Sequence, residues 1–112
     1  MEKSTLSAVG RTAKKVIIGA VKGTGDTAEA VIEASRDLLL TAMEGVADVT
    51  VGAVGSVAKV IRGTMHAARD SGQDVGLVAR AAVRGAVTAA AEAGADVGKT
   101  AVAATRASIK AA

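Results

Sequence analysis

Apolar positions recur along this chain at an interval of 22 residues. Gly19-Ala20-Val21, Thr41-Ala42-Met43, Gly63-Thr64-Met65 and Gly85-Ala86-Val87 stand at equal spacing, each preceded by a larger aliphatic residue: Ile17, Leu39, Ile61 and Val83. An acid follows at a fixed distance in every unit (Asp26, Asp48, Asp70, Glu92), and Arg62, Arg84 and Arg106 keep the same interval. Twenty-two residues are two elevens, and eleven residues close three turns at about 3.67 residues per turn, near the α-helical value. Equivalent positions therefore fall on one line of a helix.

Projected at about 98° per residue, as an eleven-residue period requires, the apolar residues gather on an arc of about 130°. That arc holds Val9, Val31, Ala53, Val75 and Val97; then Val16, Leu38, Val60, Ala82 and Ala104; then Val21, Met43, Met65, Val87 and Ile109. Of the 25 charged residues, 24 lie on the opposite arc, Glu2 being the exception. This predicts an all-α protein: one long amphipathic helix, or two to three such helices, packed as an extended hairpin or a multi-chain bundle. Residues 1–112 read as a single repeat-containing helical region.

Two stretches are candidate helix breaks. In Gly23-Thr24-Gly25-Asp26, Asp26 and Glu29 have capping-box spacing; in Ser71-Gly72-Gln73-Asp74, Ser71 is a candidate cap. Breaks there would leave segments of about 20, 45 and 38 residues, long enough for a hairpin or three-helix bundle. The 13 glycines oppose a continuous helix, since each costs roughly 1 kcal/mol relative to Ala in a helix interior. Their placement is not random, however. Gly19, Gly23, Gly63 and Gly85 lie on a strip flanking the apolar arc, where small residues let a second backbone approach closely.

Composition narrows the function. Half the residues are apolar, but most of these are Ala and Val, and no aromatic, Pro or Cys occurs. Small side chains bury little area each, so a partner surface is expected to complete the fold. Without cysteine there is no disulfide framework, thiolate nucleophile or Cys-ligated metal, and one histidine makes no His cluster. His66 projects into the polar arc as a solvated side chain. The acidic pairs Asp70/Asp74 and Glu29/Glu33 have neither a cleft nor a third ligand in view, and Met43 and Met65 read as packing residues. The expectation is no enzymatic activity, no cofactor and no metal.

Charge is distributed in blocks. Residues 1–25 carry five bases and one acid, residues 26–58 one base and six acids, and residues 59–112 eight bases and four acids. Such blocks can pair with neighbours through Arg62, Arg84 and Arg106 against Asp26, Asp48, Asp70 and Glu92. Nucleic-acid binding is disfavoured: Lys14-Lys15 is the densest basic cluster and no aromatic can stack on a base. No uncharged run approaches the roughly 18–20 residues of a membrane span, and the first residues lack a signal-peptide block. The expected location is cytoplasmic, or peripheral to a membrane or granule.

The eleven-residue periodicity and the stretch Val49-Thr50-Val51-Gly52-Ala53-Val54-Gly55-Ser56-Val57-Ala58 resemble the synuclein and perilipin type of lipid-surface helix. Residues 24–34 resemble late-embryogenesis-abundant group 3 repeats. The resemblance implies an amphipathic coat on a membrane, lipid or polymer granule, or a membrane-protecting stress protein. From the residues themselves the leading expectation is different. It is a structural protein that self-associates into a homo-oligomeric bundle or filament through Val9, Val16, Val21, Val31, Leu38, Met43, Val60, Met65, Val75, Val87, Val97 and Ile109.

Overall fold

A computed structural model describes residues 8–22 and 26–111. It contains five helices: α1 (Ala8–Lys22), α2 (Thr27–Met43), α3 (Val49–Asp70), α4 (Val75–Ala93) and α5 (Val97–Ala111). The chain is all-helical as expected, but five helices replace the one to three that the unbroken phase suggested. Glycine and aspartate make the punctuation. Gly45, Gly72 and Gly94 adopt positive φ (80°, 72° and 79°), a conformation that ends a helix cheaply only without a Cβ. Two or three residues later Asp48, Asp74 or Asp96 opens the next helix by accepting from its first-turn amides, at 2.9–3.2 Å.

The turns themselves repeat. The Gln73 amide donates to the Ala68 carbonyl at 2.9 Å and the Ala95 amide to Ala90 at 2.8 Å, the same closing bond one 22-residue interval apart. Asp74-Val75-Gly76 and Asp96-Val97-Gly98 then start α4 and α5 with identical residues. Asp74, not Ser71, caps α4; the Ser71 hydroxyl donates back to the Ala67 carbonyl. Asp26 caps α2 through the Glu29 amide at 3.0 Å, whereas residues 23–25, and Gly23 with them, lie outside the described residues. The 22-residue period is therefore one helix plus one turn, not two elevens of an uninterrupted rod.

Among the described residues each helix touches only helices one or two places away along the chain, and the most extensive contacts are between helices two apart. The result is two layers, α1, α3 and α5 in one and α2 and α4 in the other, measuring 36 × 34 × 23 Å overall. Helices two apart run parallel: Thr27 near the start of α2 donates to Gln73 just before α4, and the Asp96 amide before α5 donates to Thr50 near the start of α3. This connectivity is that of a helical repeat stack, in which each unit packs only on its neighbours.

Within the chain the helices approach closely enough for small side chains to build a core. A Cβ on Gly63 of α3 would collide with the Gly10 carbonyl of α1 and lie 2.9 Å from the Ala13 Cβ. A Cβ on Gly85 of α4 would stand 2.5 Å from the Ile32 carbonyl oxygen and 3.0 Å from the Ser35 Cβ of α2. Gly85, Ile32 and Ser35 each lie 22 residues beyond Gly63, Gly10 and Ala13. At such crossings alanine is large enough to fill the interface. Ala81, Ala82, Ala86, Ala89 and Ala90 of α4 are all buried, around a centre of Ile17, Val31, Leu39, Val57, Ile61, Met65 and Val78.

Gly63→Ala and Gly85→Ala should each destabilise by about 1–3 kcal/mol, as overpacking does. Gly55→Ala, in α3 with open space around it, should instead stabilise by about 0.5–1 kcal/mol. Urea titrations monitored by circular dichroism would show opposite shifts in midpoint. Ser35 supplies a second test. Its hydroxyl is buried without a hydrogen-bond partner, so Ser35→Ala should stabilise by about 1 kcal/mol in the same assay.

Candidate functional site

The outward face of the first helix pair is an open groove of about 630 Å³. From α1 it is lined by Ala8, Val9, Thr12, Val16 and Ala20, and from α2 by Ala30, Ala34, Leu38, Thr41 and Ala42, with Glu33 and Asp37 among them. Three of the α2 positions have interior equivalents. Val60, Gly63 and Thr64 of α3 correspond to Leu38, Thr41 and Ala42, and all three are buried, Gly63 against Gly10 and Ala13 of α1. Ala82, Gly85 and Ala86 of α4 correspond again, and are buried likewise.

The other end of the stack carries a second groove, about 490 Å³, between α4 and α5. Ala79, Arg80, Val83, Arg84, Val87 and Thr88 of α4 and Thr105 and Ser108 of α5 line it. Beside it α5 exposes Val102 at 53% and Ile109 at 70%. One groove is thus apolar with acids, the other apolar with bases.

The twelve apolar residues named for self-association divide by place in the stack. Val21, Val31, Met43, Val60 and Met65 are buried inside the chain. Val9 and Leu38 are half-buried in the α1/α2 groove, and Val16 there is 41% exposed. Val87 is half-buried in the α4/α5 groove and Val75 half-buried at the start of α4, while Val97 and Ile109 of α5 are exposed. Of the close-packing glycines, Gly63 and Gly85 stand at the interhelical crossings, whereas Gly19 meets nothing within 4 Å. What the periodicity could not separate was the inner turn of the ribbon from its two ends, because every unit carries the same stripe.

The charged series divides too. Lys14 of α1 pairs with Asp70 of α3 at 2.5 Å, and 22 residues on Arg36 of α2 pairs with Glu92 of α4, its Nη2 donating to Glu92 Oε1 at 2.7 Å. Arg36 also binds its neighbour Asp37 at 2.6 Å. Lys14 and Arg36 were not in the expected charge-pairing set, although their shared 22-residue interval was visible. Asp26 and Asp48 serve as helix caps. Arg62, Arg84 and Arg106 are exposed and take no part in the ion pairs found among the described residues. Such surface pairs fix register more than stability.

The hydrogen bond from Lys14 holds the Asp70 carboxyl below its usual range, and that from Arg36 does the same for Glu92. Glu33 beside it lifts Glu29 slightly above the ordinary range. His66 is half-buried rather than fully solvated; burial, reinforced by Arg69 and Lys14, lowers its pKa, with Asp70 opposing. No cluster of three or more metal-ligating side chains occurs among the described residues, and none of their helices is long and apolar enough to cross a membrane. Comparison with protein-family models, with curated proteins and with solved structures finds no match to this chain.

Acid should act in two stages. Above the ordinary histidine value near 6.5, His66 is neutral folded and unfolded and contributes nothing. As pH falls below that value the unfolded chain takes the proton first, so stability drops until the folded pKa is passed. The depressed Asp70 and Glu92 contribute stability that persists above the ordinary carboxylate range and is lost as pH falls through their lower folded values. Thermal midpoints measured from pH 8 to 2 should show both stages, and His66→Asn should abolish only the first.

Proposed function

We propose that this chain is a non-enzymatic structural protein whose work is self-association into a homo-oligomer or filament. The observation that carries the reading is the α1/α2 groove. Leu38, Thr41 and Ala42 form an apolar face there whose 22-residue equivalents are buried at helix–helix interfaces in α3 and α4. Repeat stacks remain soluble by covering such end faces with a polar capping unit. The described residues place no such unit over this groove, whose lining is mostly apolar.

Attachment to an anionic lipid surface is the second reading, supported by one feature. On α5 the exposed Val102 and Ile109 stand beside the exposed bases Lys99, Arg106 and Lys110, the arrangement by which a helix rests on a bilayer with its cations at the headgroups. The groove favours self-association, because its rim carries Glu33 and Asp37, which anionic lipid would repel.

Sedimentation of the purified chain in the absence of lipid should give a mass well above the 10.9 kDa of one copy. Val16→Glu and, separately, Leu38→Glu should return it to one copy while leaving the helical circular-dichroism spectrum intact. A wild-type chain that sediments as a single copy at all concentrations, yet co-floats with anionic vesicles, would replace this reading with the lipid one.

A further inference from the structure

Resting on that self-association reading, we propose that copies stack head to tail: the α4/α5 end of one copy seats on the α1/α2 groove of the next and continues the register of the interfaces inside the chain. The internal contacts define two kinds of face. The receiving face of α1 carries Gly10, Ala13 and Ile17, and that of α2 carries Ile32, Ser35 and Leu39. The entering face belongs to the helix two places on: Gly63 of α3 meets Gly10 and Ala13, and Gly85 of α4 meets Ile32 and Ser35.

Each end of the stack displays one face of this pair without its complement. At the first end the entering position on α2 is Thr41, exposed in the groove, and on α1 it is Gly19, with nothing across from it. At the other end the receiving positions on α5 are Gly98, Ala101 and Thr105, at the same 22-residue intervals, with Val102 exposed beside them. On α4 they are Gly76, Ala79 and Val83, the last two lining the second groove. Seating the α4/α5 end on the α1/α2 end sets Thr41 against Gly98 and Ala101, and Gly19 against Gly76 and Ala79. At Gly19 the crossing is as bare as at Gly63 and Gly85, whereas at Thr41, whose side chain the internal spacing would not admit, the two helices stand further apart.

Charge selects the same polarity. The first groove is rimmed by Glu33 and Asp37 and contains no base, whereas the second contains Arg80 and Arg84 and no acid. Lys99 and Arg106 add to the basic end. Arg80 also continues the series of Lys14 and Arg36, each of which already joins its helix to an acid on the helix two places on. Two like grooves facing each other would set Glu33 and Asp37 against their own copies, or Arg80 and Arg84 against theirs. A contact between unlike faces closes only as a ring and otherwise propagates as a filament.

The test uses full-length chains blocked at one end. Val16→Glu/Thr41→Glu blocks the groove, and Val102→Glu/Thr105→Glu blocks α5; all four positions are exposed, so each variant should fold. Each alone should sediment as one copy, and an equimolar mixture should double in mass and grow no further. Because the chain has no cysteine, adding Thr41→Cys to the α5-blocked variant and Ala101→Cys to the groove-blocked variant should yield a disulfide between unlike copies only. An α5-blocked variant that still self-associates, or a mixture that stays at single-copy mass while wild type assembles, overturns head-to-tail stacking and leaves self-association standing. Wild type that never assembles overturns both. Assembly that begins only after residues 1–7 are removed assigns the groove to that segment and also overturns the proposal.

Discussion

The close crossing of helices two apart in the chain is the constraint on which this architecture depends. An interface of alanine and valine offers few atoms per side chain, and dispersion falls away steeply once a gap of half an ångström opens. Glycine at the crossing removes the gap by letting backbone meet backbone, at Gly63 with Gly10 and at Gly85 with Ile32. The helix propensity lost at each glycine is offset by contact along the whole length of the pair. Lys14–Asp70 and Arg36–Glu92 then sit at the ends of these crossings, holding the sliding coordinate at one value. Because both features recur at the same interval, the second interface is geometrically a copy of the first.

The turns are subordinate to that geometry. A left-handed glycine followed within a few residues by a capping aspartate reverses the chain in as little as three residues, so successive helices fall into alternate layers. The interval between capping aspartates is 22 residues from Asp26 to Asp48 and from Asp74 to Asp96, but 26 from Asp48 to Asp74. The extra four residues lengthen α3 at its C-terminal end by about one helical turn. On the 22-residue grid α4 opens four residues late, at Val75, and closes in step with α3, at the Gly72 and Gly94 turns, so its apolar stripe stays in line with that of α3.

This explains what the sequence made legible and what it hid. Helical class, the interval, the apolar stripe and the small-residue strip holding Gly63 and Gly85 were all readable from periodicity. Chain continuity was not. Repeating turns of nearly constant length preserve phase as faithfully as an unbroken rod does, so a wheel projection cannot distinguish them. The discriminating signal was local: Gly45-Val46-Ala47-Asp48 and Gly94-Ala95-Asp96 carry the same glycine-then-aspartate punctuation as Gly72-Gln73-Asp74. The wheel also treated all aspartates as surface charge, whereas Asp48, Asp74 and Asp96 are spent on amides at helix starts. His66 went the same way, since α3 packs against all four other helices and even its polar edge is partly covered.

A stack whose internal interfaces are copies of one another carries a consequence at its ends. The energy that seats α3 on α1 and α4 on α2 comes from faces that α1, α2, α4 and α5 also present outward. In a repeat protein with a polar cap the outermost face is a different sequence; here Leu38, Thr41 and Ala42 keep the apolar or small character of Val60, Gly63 and Thr64. In the proposed head-to-tail assembly, translational and rotational entropy would oppose joining two chains but not joining two helices of one chain, so the external contact would be weaker than its internal counterpart. The opposite charges lining the two grooves would disfavour pairing of like grooves. On that proposal the repeat that folds one chain is also what the next chain continues, with polarity set by the direction in which helices two apart already run.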